Sequence, residues 1–117
     1  MQVHAIMRNV RMSAQKMREV VRQIQGLPAM QAQAVLSVVP RKGARFVAKT
    51  LRSAMANAED LKEHKQEYRT MNIDALRVKE AVALTASTLR RFTPKARGSA
   101  GPILKRNCHV KITLSDE

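Results

Sequence analysis

Aromatic residues and cysteine are both scarce in this sequence. Aromatic side chains make up 3% of the chain and comprise Phe46, Tyr68 and Phe92, with no tryptophan. This supply of rings is too small for the base-stacking platforms that many single-strand binders use. The single cysteine, Cys108, excludes an internal disulfide framework and a zinc site built from several thiolates. A reducing compartment fits this cysteine content.

Long hydrophobic runs are absent as well. The apolar stretches are a handful of residues long, far below the roughly 20 residues that a membrane helix needs. The first ten residues, MQVHAIMRNV, lack the apolar centre of a signal peptide. We therefore expect a soluble, cytoplasmic protein with no membrane partner.

The sequence is rich in positive charge and still has enough apolar residues to fold. Its 117 residues include 22 Lys and Arg against 9 Asp and Glu, which gives a formal net charge of +13. Hydrophobic residues make up 44% of the chain, too many for a disordered basic tail. The length predicts one domain with one core, and the charge predicts a polyanionic partner.

Three segments have the apolar periodicity of helices. Residues 14–25 form the first, with Ser13 as N-cap and Gly26 as terminator. Its apolar face consists of Ala14, Met17, Val20, Val21 and Ile24.

A second, shorter helix is expected from Pro28 to about Val38, with Met30, Ala34, Val35 and Val38 at helical intervals. A third helix is expected from about Arg41 to Asp60, and residues 61–74 are expected to add a helical extension and a loop. The apolar stripe of the third helix is Ala44, Val47, Ala48, Leu51, Met55 and Ala58.

Two later segments have the period of two that is typical of strands. One alternates Leu76, Val78, Val82 and Leu84 with polar or small residues, and the other alternates Cys108, Val110, Ile112 and Leu114. We interpret them as antiparallel partners and residues 2–11 as a third strand. The predicted fold is α+β, with three helices on a three-stranded antiparallel sheet.

The segment between these two strands predicts a protruding β-hairpin. Residues 94–102 contain two prolines and two glycines, which places the reversal there. Two extended legs of about ten residues each would form an arm of roughly 30 to 35 Å. We thus expect a body of residues 1–84 and 107–117, and an arm of residues 85–106 into which two sheet strands extend.

The predicted arm has a charge of one sign. Residues 89–111 contain seven cations and no carboxylate. An isolated, self-repelling ribbon is marginally stable, whereas a polyanion would both order and screen it. A disordered basic loop is the alternative, which the strand pattern on both sides disfavours.

A second cationic surface is predicted on the third helix. Lys42, Arg45, Lys49 and Arg52 recur at helical spacing on one side, with no acidic residue among them. A solvated helix face is the alternative, and the net charge favours phosphate contact.

Enzyme chemistry has little support in the sequence. Cys108 and His109 are adjacent in a predicted strand, so their side chains point to opposite faces and cannot form a dyad. His4 and His64 lack partners at metal-ligand spacing, and there is no phosphate-loop motif. The acidic residues 59–67 alternate with lysines, as on an ordinary helix surface. We expect neither a cofactor nor a metal.

Three segments resemble the ribosomal protein L twenty-two family of the large subunit. They are RNVRMSAQKMREVVRQIQG at residues 8–26, SAMANAE at residues 53–59 and RRFTPKARGSAGPILKRNCHVKITLSDE at residues 90–117. The resemblance implies a body at the outside of the large subunit and a hairpin at about residues 86–106 that passes through ribosomal RNA to line the polypeptide exit tunnel. It implies a role in subunit assembly and no catalysis.

This resemblance, combined with the charge pattern, gives the predicted site residues. The tunnel-lining tip is Leu89, Arg90, Arg91, Pro94, Lys95, Ala96 and Arg97. RNA contacts assigned to the hairpin are Arg90, Arg91, Lys95, Arg97, Gly98, Lys105, Arg106, His109 and Lys111. RNA contacts from the body are Arg8, Arg11, Lys16, Arg18, Lys42, Arg45, Lys49 and Arg52.

The partners expected are large-subunit ribosomal RNA, neighbouring ribosomal proteins and the nascent polypeptide, without a homo-oligomer. The expected location is the cytoplasmic ribosome, with an organellar ribosome as the alternative. A rival function is an architectural DNA-binding protein, whose basic arm would wedge Pro94 or Pro102 between base steps. A nucleic-acid enzyme is a third possibility, for which the sequence offers no candidate nucleophile.

Overall fold

The computed structural model describes residues 1–116, which form three helices and five strands. The helices are α1 (Ala14–Ile24), α2 (Ala29–Val38) and α3 (Lys42–His64). The strands are β1 (Gln2–Val10), β2 (Arg77–Thr85), β3 (Leu89–Pro94), β4 (Ala100–Lys105) and β5 (Cys108–Ser115). No helix in this part of the chain is both long enough and apolar enough to cross a membrane.

The strands form two antiparallel sheets. One has the order β1-β5-β2, so the last strand lies between the first and the second, and the predicted third strand at the N-terminus is confirmed. The other sheet is the β3–β4 hairpin, in which Leu89 pairs with Lys105 and Pro94 with Ala100. The α+β class and the three helices are thereby confirmed.

The hairpin differs from its prediction in two respects. The sheet strands do not run unbroken into it, because residues 86–88 and residues 106–107 interrupt both legs. The hairpin strands are six residues each, not about ten. The two legs are instead joined at the hairpin root by hydrogen bonds from Ala86 N–H to the Asn107 carbonyl (3.1 Å) and from Asn107 Nδ2 to the Ser87 carbonyl (3.0 Å).

Helix α1 forms as predicted. Its five predicted apolar residues are all buried, and Ser13 Oγ accepts a hydrogen bond from Lys16 N–H (3.3 Å) as the N-cap. After the helix, Gly26 adopts a φ of +81° and its N–H donates to the Val78 carbonyl (2.8 Å), which ties the end of α1 to β2. Such a backbone conformation favours glycine.

The predicted buried face of α2 is wrong. Met30 and Val38 are exposed by 69% and 78%, whereas Ala29, Ala32 and Leu36 are the buried residues. The helix begins after Pro28 and is docked by the Ala29 N–H, which donates to the Leu76 carbonyl (3.0 Å). This attachment to Leu76, just before β2, sets the rotation of the helix, whose buried face therefore consists of two alanines and Leu36.

The predicted inward face of β2 is correct only in its first half. Leu76 and Val78 are buried, but Leu84 is 49% exposed and Ala81 and Ala83 take its place in the core. The register with β5 shifts between Val78 and Glu80, and a bulge of this kind exchanges the two faces of a strand. The predicted inward residues of β5 are all buried.

Helix α3 crosses the sheet and completes the core. It packs on β1, on β5 and on α2, with Val47, Leu51, Ala54 and Ala58 fully buried. It continues beyond Asp60 to His64, as the expected helical extension requires, and is followed by two short 3₁₀ turns at residues 66–68 and 73–75. The described chain measures 67 × 28 × 16 Å.

Candidate nucleic-acid interface

The hairpin carries its cations on an exposed surface. Arg90 and Arg91 lie in β3, Lys95 and Arg97 in the tip, and Lys105 at the end of β4, and all five are exposed. Neighbouring residues in a strand point to opposite faces, so Arg90 and Arg91 give both faces of the ribbon a positive charge. No single side of the hairpin is left neutral.

The hairpin tip is a tight turn with two residues in the left-handed region. Arg97 has a φ of +61° and Gly98 a φ of +72°, and the Lys95 N–H donates to the Ser99 carbonyl (2.7 Å). Gly98 tolerates this conformation, whereas Arg97 adopts it at a cost of about 1 kcal/mol. The predicted tip residues Pro94 and Ala96 are both exposed beside this turn.

Two predicted contacts lie on β5 rather than on the hairpin. His109 and Lys111 are half-buried on the face of the sheet opposite the core, where Lys111 pairs with Ile6 and Val82. The His109 Nδ1 accepts a hydrogen bond from the Asn9 N–H (3.0 Å). The imidazole therefore also has a structural role.

The cationic stripe of α3 divides between two cavities. Arg45, Lys49 and Arg52 line an open cavity of about 720 Å³, whose floor includes Leu36 and Phe46. Lys42 instead lines a second open cavity of about 780 Å³, at the root of the hairpin. The four side chains are exposed, as predicted, but they do not form one continuous surface.

The predicted body residues before α2 have different surroundings. Arg11 and Lys16 line the same cavity as Lys42, together with Arg106. Arg18 Nε donates to the Ala83 carbonyl (3.3 Å), which links α1 to β2. Arg8 is exposed in the irregular part of β1, where the register shifts between Met7 and Val10.

Sequence reasoning missed Arg41, which lines both cavities. Its guanidinium forms an exposed ion pair with Glu19 (3.2 Å). A sequence signal was present, because a cation just before a helix with no acidic residue in its first turn is unfavourable to the helix dipole. In the structure, Glu19 supplies the negative charge next to this residue.

The positive charges of the molecule are largely unneutralised. Within residues 1–116, Arg41 is the only Lys or Arg that forms an ion pair with a carboxylate. The other two ion pairs of this region join the terminal amine to Asp116 (3.1 Å) and His64 to Asp60 (3.2 Å). The pairing with the amine holds the pKa of the Asp116 carboxyl below its usual range. Most cations are therefore available to an external anion.

Neither a metal-binding cluster nor an exposed thiol is present in the part of the chain that the structure describes. No group of three or more His, Cys, Asp or Glu within residues 1–116 could hold a metal ion. The Cys108 thiol is fully buried, and burial raises its pKa above the usual range, so it is a poor nucleophile. Its neighbour His109 lies on the opposite face of the sheet, which confirms that the two cannot form a dyad.

A small α+β protein with an exposed cationic hairpin and an unpaired cationic helix face is typical of structural proteins that bind folded nucleic acid. Residues 5–115 match the family described as ribosomal protein L22p/L17e. The chain is 44% identical over 117 residues to the large ribosomal subunit protein uL22 of Akkermansia muciniphila, covering 100% of this chain and 98% of that protein. It is 46% identical over 116 residues to the protein of that name in Opitutus terrae, covering 99% and 96%.

The chain therefore belongs to the ribosomal protein L22p/L17e family, and the resemblance found in its sequence is confirmed. This is a family of structural ribosomal proteins, which places the chain in the ribosome and confirms that it is not an enzyme.

Proposed function

We propose that this protein is a structural constituent of the large subunit of the cytoplasmic ribosome, where it binds large-subunit ribosomal RNA. The relatives that match its full length are named as proteins of the large subunit. The observation that carries the proposal is the exposed hairpin, which has five cations in residues 89–105 and no carboxylate. RNA phosphates supply the opposite charge, and their binding releases counterions.

The hairpin is the proposed route into the RNA. Its two strands are exposed along most of their length, and Phe92 is exposed by 75%. A two-stranded ribbon with no covering layer is marginally stable in water, so surrounding RNA would complete its environment. The 67 Å length of the molecule supports an arm that extends from the body. In this proposal the tip at residues 89–97 lines the exit tunnel and contacts the nascent polypeptide.

The body contributes a second set of proposed RNA contacts. Arg45, Lys49 and Arg52 are exposed along α3, while Lys42, Arg11 and Lys16 surround the hairpin root. Specificity in this arrangement comes from the shape of the folded RNA, because aromatic side chains that stack on bases are scarce. Neighbouring large-subunit proteins are the other proposed partners, and the protein acts as a single copy that assists subunit assembly.

Sedimentation of a tagged copy from its native cell tests the function directly. Co-migration with the large subunit is expected, together with ultraviolet cross-links from hairpin residues to large-subunit RNA. A variant with Arg90, Arg91, Lys95 and Arg97 changed to Ala is expected to fold but to enter the subunit poorly. Free migration of the unaltered protein, with cross-links to duplex DNA, would overturn the proposal in favour of an architectural DNA-binding protein.

A further inference from the structure

The cavity at the hairpin root gathers cations from four separate parts of the chain. Arg11 follows β1, Lys16 lies in the first turn of α1, Arg41 and Lys42 begin α3, and Arg106 follows β4. The cavity has a volume of about 780 Å³, and no carboxylate lines it. Five cations around one opening repel each other unless an anion enters.

Four of these five cations have no acidic partner in the described part of the chain. Arg11, Lys16, Lys42 and Arg106 form no ion pair there, and only Arg41 does, with Glu19 on the exposed side of α1. Arg11 and Lys42 donate hydrogen bonds to backbone carbonyls, which leave their positive charges in place. The cavity is therefore a concentrated site of uncompensated positive charge.

Two helix N-termini open into the same cavity. Ser13 and Gln15 line it at the start of α1, and Arg41 and Lys42 line it at the start of α3. Neither helix has an acidic residue in its first turn, and Arg41 makes no side-chain capping bond. The partial positive charge of each helix end therefore adds to that of the side chains.

Gly43 explains why the two helix ends can approach so closely. A Cβ at this position would lie 3.0 Å from Met17 Sδ and 3.2 Å from Met12 Cε. The missing side chain lets the first turn of α3 rest directly on α1 and on the turn after β1. The convergence of the cations is thus built into the packing of the body.

The cavity also joins the body to the hairpin. Arg11 Nη1 donates to the Arg106 carbonyl (2.7 Å), and Lys42 Nζ donates to the Arg11 carbonyl (3.4 Å). Arg106 and Leu104 belong to the hairpin side of the cavity, while Lys16 and Lys42 belong to the helices. An anion in this cavity would contact both parts at once.

We propose that this cavity binds adjacent phosphates of an RNA backbone and thereby fixes the hairpin on the body. The inference rests on the proposed RNA-binding function and names the site that couples binding to the orientation of the arm. Phosphates fit because guanidinium groups bind them with two parallel hydrogen bonds and helix N-termini provide further donors. Carboxylates of a protein partner would present less charge to the same five cations.

The first test uses inorganic pyrophosphate as a probe on the full-length protein, followed by NMR. Titration with pyrophosphate is expected to cause saturable chemical-shift changes in the amides of residues 11–16, 41–43 and 106. Hydrogen exchange of the Ala86 amide is expected to slow. A Lys16→Ala, Lys42→Ala variant should bind pyrophosphate at least tenfold more weakly. The matched control, Lys62→Ala, Lys65→Ala, removes the same charge from the far end of α3 and should bind within about twofold of the unaltered protein.

The second test uses large-subunit ribosomal RNA fragments and distinguishes this proposal from the function on which it rests. If the unaltered protein binds the fragments but both double variants lose affinity equally, the cavity does not bind RNA phosphates and the RNA-binding function stands. If the unaltered protein does not bind them, the RNA-binding function fails. If pyrophosphate binds in the cavity but RNA does not slow exchange at Ala86, the cavity takes small anions only and the proposed coupling is overturned.

Discussion

The backbone N–H of Asn9 donates a 3.0 Å hydrogen bond to Nδ1 of His109, a residue 100 positions further along the chain. Asn9 has a φ of +56° and lies where the register of β1 shifts against β5. The same hydrogen bond joins the end of the first strand to the start of the last strand, just beside the hairpin root. The irregular end of β1 is thus tied to the strand that follows the hairpin.

Replacing Asn9 tests the importance of this left-handed residue. Asn9→Val should lower the free energy of unfolding by about 1–2 kcal/mol, because a β-branched residue is strained at a positive φ. Asn9→Gly should have a smaller effect, since glycine adopts this conformation readily. Urea denaturation of the three proteins measures the difference. Equal losses in both variants would show that the asparagine side chain, not the backbone conformation, is what matters.

Much of the fold could be predicted because its periodicities are local. The buried residues of α1 and the inward residues of β5 follow directly from the spacing of apolar side chains. The rotation of α2 could not be predicted, because it depends on the distant contact between Ala29 N–H and the Leu76 carbonyl. The exchange of faces in β2 depends on a bulge opposite β5, for which the sequence has no clear marker.

The candidate site could be predicted by residue type but not by grouping. The exposure of the cations could be predicted because the spacing of the apolar residues defines the buried face of each helix or strand and leaves the cations on the other face. Their division into two cavities depends on how the N-terminus of α3 packs at Gly43 and where Arg106 lies beside Arg11. Both are contacts between segments far apart in the sequence, and local patterns do not contain them.

The salt dependence of RNA binding should report the number of hairpin contacts. Changing Arg90, Arg91, Lys95 and Arg97 to Ala removes up to four phosphate contacts and should reduce the slope of log affinity against log salt by about three. The body should remain folded, because all four side chains are exposed. The control changes Arg22, Lys62, Lys65 and Arg69 to Ala, with an equal change of net charge. If the slope of log affinity against log salt falls by the same amount in both variants, the hairpin has no special part in binding.

The close packing at Gly43 predicts a specific overpacking effect. Gly43→Leu should lower the free energy of unfolding by about 1–3 kcal/mol, because the new side chain would meet Met17 and Met12. Adding Met12→Ala should recover part of this loss by making room. Urea denaturation of the single and double variants gives the coupling between the two positions. If the effects of the two changes on the free energy of unfolding simply add, the strain lies elsewhere.

The buried thiol of Cys108 should make the protein less stable at alkaline pH. Burial raises the pKa of this thiol in the folded chain, whereas in the unfolded chain the thiol ionises near its usual value of about 8.5. Above that pH the unfolded chain binds fewer protons than the folded chain, so the free energy of unfolding falls as pH rises toward the folded pKa. The stability that the protonated, buried thiol provides is fully present below about pH 8 and is lost as the pH rises above that value.

A Cys108→Ala variant separates the effect of the thiol from that of the rest of the protein. The stability advantage of the unaltered protein over Cys108→Ala should shrink between about pH 8 and pH 10, as measured by urea denaturation at each pH. Because the residue is fully buried in the central strand, the native thiol should also react slowly with a disulfide reagent and quickly in urea. A constant stability difference across this pH range, or rapid reaction of the native protein, would mean that water reaches the thiol and that β5 opens locally beside the hairpin root.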